Sequence, residues 1–535
     1  MRPVRNLCVA VAAMGMMGLA AAGAQARSLY VPSYENNTVS VVNTSTNTVT
    51  STIDVPGEPW LTAITPDGKT VWVEEYSNNA LVPISVSTGA LGTPVPITGA
   101  DGPEDLAITP DGSKAYVANY TSGSITPIDL TTSTSGNPIS VGGSGSDTYA
   151  VTISPDGNTV YASNYGTSQV VPVNVATGTA GTPITVSGAY YSAITPDGKT
   201  LWVIAYDDEA LVPINTSTGV AGTAIPISGD TDPEGITISP DGTMAYVTDG
   251  EGAEVFPVNL TTRSVGLPIP TGSGSYPYFV TMTPDGKTVY TADYHADAVT
   301  PISTITNTAG SAVTVGYYPT ELAVVPNQGP TAAFTSKVHG SKASFNGSKS
   351  SDSDGYVASY AWNFGDGAKK TTTTPKVSHT YAHSGHHHVT LTVTDNEGCS
   401  NSLVFTGQTP YCNGTKAATV SHQVVVAKPK VSIKTTSARV RDGRVKIKVS
   451  CVGEQRCHGT LTLRTRKTTI GLAHYSIAAG KTATVAVTLN AAGRGELAGS
   501  ANHRLSARAT ATVTGGVKST RTVTLIGATA PSFTG

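Results

Sequence analysis

The chain has 535 residues, of which only 13% are charged, with 56 Gly, 33 Pro and a net charge of −3. Beyond the N-terminus no segment shows helical apolar spacing or the run of about 18 apolar residues that a spanning helix needs, which excludes a helical bundle and a helical membrane protein. The small net charge hides an asymmetry: residues 28–328 carry 5 Lys and Arg against 28 Asp and Glu, residues 329–426 carry 7 against 5, and residues 427–535 carry 18 against 3. An acidic body followed by a basic end bears on partners rather than on fold.

Residues 1–26 read as an export signal. Arg2 and Arg5 precede the apolar stretch from Leu7 to Gly23, and Ala24-Gln25-Ala26 fits the small-x-small cleavage pattern. Cys8 lies inside the apolar stretch rather than at a cleavage point, which argues against lipid attachment. The expectation is a secreted, extracellular protein that starts at Arg27 and is associated with the cell envelope, if at all, without a covalent anchor. The four cysteines that then remain form two local pairs, Cys399 with Cys412 and Cys451 with Cys457. Disulfides are the simple reading in an oxidising compartment, with zinc as the alternative.

Residues 27–328 are a repeat. Pro-Asp-Gly turns begin at residues 66, 110, 155, 196, 240 and 284, and a degenerate copy places Pro326 a further 42 residues on. Spacings of 41 to 45 residues with short β-branched runs are the signature of a β-propeller with about four strands per blade. The strand after each turn carries an aromatic at a fixed place (Tyr30, Trp72, Tyr116, Tyr161, Trp202, Tyr246 and Tyr290). Four residues on stands a Tyr (Tyr34, Tyr76, Tyr120, Tyr165, Tyr206 and Tyr294), with Gly250 the exception; both rings read as packing between blades. The segment SLYVPSY is a second strand without its first, and Glu321 to Val325 is a first strand without the rest. Joined, they make a seventh blade. These units, AITPDGSKAYVANYTSGSITPIDL among them, resemble the YVTN family of seven-bladed propellers of surface-layer and secreted proteins.

Residues 329–427 contain YAWNFGDG followed by SHTYAHSGHHHVTLTVTDNEG, and this segment resembles a PKD domain. That resemblance implies a β-sandwich spacer or adhesion module, here with Asn363 where Asp is usual and an insertion from Cys399 to Cys412. Residues 428–535 alternate with period two (VKIKVSC, GTLTLRTR, ATVAVTL), which predicts a small, basic antiparallel sandwich with Lys446, Lys448, Arg464 and Arg466 on its solvent face, and the segment resembles Ig-like end domains of secreted bacterial proteins. The expected fold class is therefore all-β: a seven-bladed β-propeller followed by two Ig-like β-sandwich domains.

Aligned at the start of the inner strands, the repeats place Trp60, Glu104, Tyr149, Tyr190, Glu234 and Tyr278 at one position, and Asp105, Tyr191 and Glu321 at the next. Aromatic faces beside carboxylates at the mouth of a channel suit a carbohydrate, a peptide or a cation. Asp352 and Asp354 are a fragment of a Ca²⁺ loop, and His383, His386, His387 and His388 raise a transition metal against a structural His387 with exposed neighbours. No cofactor is required. The propeller segment holds one His and one Arg, His295 and Arg263, in different repeats, and no catalytic residues are assigned. The expected function is a monomeric, non-enzymatic binding or adhesion protein of carbohydrate, cell-wall polymer or protein ligands. In it the propeller presents the ligand face, the PKD module is a spacer, and the basic domain docks on anionic wall material. The competing reading is a secreted propeller hydrolase, lactonase-like or glycan-acting, with accessory targeting domains. Nucleic acid is not expected, because residues 428–535 hold only Tyr475 and Phe533 for stacking on bases.

Overall fold

Each repeat starts with an inner strand that reverses through its Pro-Asp-Gly turn, and local hydrogen bonds set that reversal. The Thr65 hydroxyl donates to Asp67 Oδ1 at 2.7 Å, the Lys69 amide donates to the same oxygen at 3.1 Å, and Gly68, at φ 66°, brings its N–H onto the Thr65 carbonyl. The hydroxyl–carboxylate bond recurs at Thr109–Asp111, Ser154–Asp156, Thr195–Asp197, Ser239–Asp241 and Thr283–Asp285. At Asp197 the hydrogen bond from the Lys199 side chain, aided by Thr195, holds the carboxyl at about 2.

The computed structural model describes residues 27–227, 232–408 and 410–528, so the leader lies outside the described residues. The chain is all-β and forms two compact units. The first contains the residues up to Gln328 with Ser353–Tyr356 and Asn396–Asn413; the second contains Gly329–Asp352, Val357–Asp395 and the residues from Gly414 on.

In the first unit the repeats form seven antiparallel sheets of four or five strands. The innermost strands, Pro59–Ile64, Pro103–Ile108, Thr148–Ile153, Ala189–Ile194, Pro233–Ile238 and Pro277–Met282, lie each against the next. The circuit closes through Ala323–Val324, which touches both Pro277–Met282 and Pro59–Ile64. Ala323–Val324 is the inner strand of the sheet that begins with Ser28–Ser33: Leu29 pairs with Val324 and Tyr30 with Ala323, the pairing of chain ends that the repeats imply. The first aromatic ring is core, with all seven members at most 5% exposed. The second is not. Tyr34, Tyr120, Tyr165, Tyr206 and Tyr294 are half-buried and Tyr76 is exposed, which corrects the packing role expected for them.

The insertion Asn396–Asn413, closed by the Cys399–Cys412 disulfide, belongs to the first unit and enters the centre of the ring. The Ile153 amide donates to the Gly407 carbonyl at 2.9 Å, and the Ile194 amide to the Thr406 carbonyl at 3.1 Å. The fully buried Tyr411 donates its hydroxyl to the Ile238 carbonyl at 2.8 Å, while Phe405 packs among Val151, Ile153 and Val171. Ile153, Ile194 and Ile238 end their inner strands, so the loop enters from the Pro-Asp-Gly side. Only glycine fits at 407: its φ is 105°, and a Cβ there would lie 2.2 Å from Thr152 Cγ2.

In the second unit the PKD-like segment is the expected sandwich. A three-stranded sheet (Thr335–His339, Lys342–Asn346, Lys376–Thr380) and a four-stranded sheet (Lys369–Thr372, Val357–Asn363, Gly385–Asp395, Thr419–Val426) enclose Phe334, Phe345, Trp362, Phe364 and Tyr381. The C-terminal segment is not a sandwich. Its strands form one sheet that closes on itself, because Arg444–Val452 pairs with Thr482–Leu489 on one edge and with Ser437–Arg441 and Lys430–Ile433 on the other. Period-two alternation is common to a sandwich and a barrel, so it did not distinguish them. A short helix, Ala491–Ala498, covers this barrel, capped by the Asn490 side chain on the Gly493 amide at 2.9 Å. The second disulfide, Cys451–Cys457, is formed within the barrel.

Tyr411→Ala should destabilise the ring unit by about 3–5 kcal/mol, the cost of emptying a fully buried aromatic site. The expected result is a lowered first transition in calorimetry of the full chain; an unchanged melt would mean that the loop does not support the ring.

Candidate functional site

The end of the ring opposite the Pro-Asp-Gly turns gathers the residues that the repeat alignment singled out. Trp60 is a half-buried hub, with ring centroids 5.4 Å from Tyr34, 6.2 Å from Tyr278, 6.3 Å from Tyr294 and 6.4 Å from Tyr76. Tyr149 centres a second cluster, 4.5 Å from Tyr190, 5.0 Å from Tyr120 and 5.9 Å from Tyr165. Edge-to-face packing of this kind holds large planar groups at a surface with little rotational freedom.

Carboxylates stand between the rings. Glu104 is half-buried and its side chain is hydrogen-bonded to Trp60; burial, with the charge of Asp105, pushes its carboxyl up to about 7. Glu234 is 4% exposed, accepts the Tyr276 hydroxyl at 2.9 Å, and is likewise raised to about 7 by burial and by Asp232. The other three candidates lie inside the ring, away from solvent. Asp105 is fully buried and accepts from the Val151 amide at 2.7 Å, the Leu106 amide at 2.9 Å and Gln408 Nε2 at 2.8 Å. Glu321 accepts from the Thr62 amide at 3.1 Å, and Tyr191 donates its hydroxyl to the Glu104 carbonyl at 3.2 Å. The space left beside them is a cavity of about 20 Å³ lined by Thr62, Leu106, Phe279, Glu321 and Gln408, room for about one water at most. The channel is thus filled by the chain itself, and the accessible set is Trp60, Glu104, Tyr149 and Tyr278 with the outer tyrosines.

Two residues of this end escaped the sequence reading. Tyr276 adopts φ 50° and lays its ring over Gly250, where a Cβ would meet Tyr276 Cζ at 2.8 Å. It supplies from the next loop the ring that Gly250 omits, so the gap in the tyrosine series was the signal. Glu74 is fully buried, with neither carboxylate oxygen hydrogen-bonded among the described residues, and burial with the nearby charges of Glu104 and Glu75 raises it well above the usual range. Its signal was a Glu where the other repeats carry Pro32, Ala118, Ser163, Ile204, Thr248 and Ala292.

No Lys or Arg of residues 28–328 offsets these acids at this end, where His295 lies 4.8 Å from the Tyr276 ring and 5.4 Å from the Tyr294 ring. Lys69, Lys114, Lys199 and Lys287 flank the Pro-Asp-Gly turns, and Arg263 lies 5.8 Å from the Trp202 ring. Elsewhere, Asp354 Oδ2 accepts from Arg27 Nη1 at 2.8 Å and from the Gln328 amide at 2.9 Å. Among the described residues no group of three or more His, Cys, Asp or Glu converges as metal ligands. His387 is buried and stacks on Tyr381 at 4.1 Å, while His386 and His388 face solvent. No helix among the described residues is long and apolar enough to cross a membrane.

Fold and site together define a repeat-built all-β protein with an aromatic and acidic face. Within it, residues 327–408 match the family model of the PKD domain. A pre-pro-metalloprotease PrtV of Vibrio cholerae is 45% identical over 76 residues, 14% of this chain and 8% of that protein. A collagenase ColA of Clostridium perfringens is 45% identical over 58 residues, 11% of this chain and 5% of that one. The chain therefore spans less than a tenth of the length of either relative. Among solved structures, a putative 6-phosphogluconolactonase of Bacteroides fragilis aligns at 21% identity and TM-score 0.49 over 56% of this chain and 98% of its own. A hydrazine synthase of Kuenenia stuttgartiensis aligns at 23% identity and TM-score 0.47 over 52% and 92%.

The raised carboxyls set a pH dependence. Glu74, Glu104 and Glu234 keep protons in the folded state above the unfolded value of about 4.3, so the stability they confer is complete below that pH and is lost as pH rises through their raised folded values, about 7 for Glu104 and Glu234. The ring unit should melt on the order of 5 °C higher at pH 5 than at pH 8. Glu74→Gln should shrink that difference by raising the pH 8 value; an unchanged difference would show that Glu74 does not titrate there.

Proposed function

We propose that the ring of seven sheets is a YVTN-like seven-bladed propeller, and that the protein is an extracellular, non-enzymatic binding or adhesion protein whose ligand is a carbohydrate. The observation that carries this is the aromatic face: Trp60, Tyr76, Tyr149 and Tyr278 present ring surface beside Glu104, and no Lys or Arg of the ring lies there to recruit an anionic ligand. Sugars use this combination, stacking their apolar faces on rings while carboxyl groups take their hydroxyls. The repeat period and the closed strand circuit support the propeller reading. Two disulfides suit an oxidising compartment outside the cell. The loop that fills the channel leaves binding at the surface better supported than turnover within it. In this reading the PKD sandwich spaces the ring from a basic barrel that docks on anionic envelope material.

The test is a screen of the full chain against neutral cell-wall oligosaccharides, followed by calorimetry. Tyr76→Ala, at an exposed position that folding tolerates, and Trp60→Ala should each weaken binding at least tenfold, about 1.4 kcal/mol. Binding of no glycan, or affinity untouched by both substitutions, would overturn the assignment of this face.

A further inference from the structure

The C-terminal barrel places like charges where a sheet ordinarily avoids them. Arg464, at the end of Cys457–Arg464, is the direct cross-strand partner of Arg508 in Arg504–Val513. Both are exposed, and among the described residues neither has an acidic partner within ion-pair distance. Directly opposed like charges have Cβ atoms about 5 Å apart and destabilise a sheet. A second pair lies on the same outward face, where Arg504 and Arg439 flank Ile526 in one cross-strand row. Between the pairs runs a row of hydroxyls, because Ser506 pairs with Thr524 and Thr524 with Ser437. Arg504 and Arg508 are four residues apart on one strand, so the two cationic ends stand about 14 Å apart, given about 3.4 Å per residue.

We infer that this face, with Arg464 and Arg508 at one end and Arg439 and Arg504 at the other, is a binding site for an anionic polysaccharide that carries phosphate or sulfate esters. The inference rests on the docking role given to the barrel above and names its residues and ligand chemistry. A pair of guanidinium forks suits a tetrahedral oxyanion, which both can hold with two parallel hydrogen bonds and whose charge relieves their repulsion. The hydroxyl row between them matches sugar hydroxyls. The face carries no aromatic ring on which bases could stack, and Ile526, half-buried, is the one large apolar side chain in these rows, which disfavours nucleic acid and a lipid surface as the occupant.

The experiment measures binding of the full chain to dextran sulfate, phosphorylated dextran and plain dextran across a salt series. Arg464→Ser/Arg508→Ser is compared with Lys446→Ser/Lys448→Ser, which removes equal charge from other exposed positions of the same barrel. The expected result is binding to one or both charged dextrans and not to plain dextran. It should weaken at least tenfold in the arginine double variant and less than threefold in the lysine one. The arginine variant should also melt no lower than the parent, since opposed charges have been removed, which separates lost binding from lost fold. Equal weakening in both variants would overturn this site while leaving electrostatic docking intact. No binding at low salt, or tighter binding to anionic lipid vesicles than to either dextran, would overturn the site and the docking reading together.

Discussion

Closure of the strand circuit is the constraint on which the ring depends. The first repeat lacks its own inner strand, and its sheet is complete only because a strand from the last repeat pairs there, Leu29 with Val324 and Tyr30 with Ala323. Arg27, 6% exposed, holds the junction from outside the ladder, donating to the Pro326 carbonyl at 3.0 Å and to Asn327 Oδ1 at 2.8 Å while pairing with Asp354 and Glu397. Asp354 and Glu397 come from inside the PKD-like sequence yet belong to the ring unit. One buried guanidinium therefore joins the start of the ring, its end, and two segments more than 300 residues along the chain. Burying such a charge is tolerable only because its partners are carboxylates and carbonyls already in place.

Closing a ring of strands leaves a central channel, and this protein fills it. The loop held by Cys399–Cys412 supplies carbonyls to inner-strand amides and a buried Tyr411, while Gln408 places its amide on Asp105. An amide donor is a mild partner for a fully buried carboxyl whose pKa burial raises above the usual carboxylate range. The acids of the channel thus serve as internal structure, and the rim is left with the half-buried and exposed tyrosines.

The C-terminal barrel shows the opposite economy of charge. The ring keeps its acids unneutralised at one end, while the barrel accepts Arg464 opposite Arg508 at a cost in sheet stability. Local costs of this sort without an internal partner are the kind that a binding role explains, and they occur on surfaces of opposite sign in the two units.

Much of the architecture was legible in the sequence. Pro-Asp-Gly turns recur because each needs one φ-fixing residue, one capping carboxylate and one left-handed glycine, all local requirements that a sequence displays directly. The complementary fragments at residues 28–34 and 321–325 displayed closure for the same reason. The rest depended on contacts between distant residues. Alternation along residues 428–535 specified strands with one buried face, but whether the sheet folds over or closes is decided by which edges meet, and that appears only in the pairing of Arg444–Val452 with Thr482–Leu489. Position in the repeat marked Asp105, Tyr191 and Glu321 as channel residues, yet their withdrawal from solvent was decided by a loop from another part of the chain. The sequence by itself determined the strands, the turns, the disulfide pairs and the charge asymmetry, since each follows from near neighbours or from composition. Only the tertiary structure decided which of the aligned aromatic and acidic side chains meet solvent, because burial is a property of what packs across space.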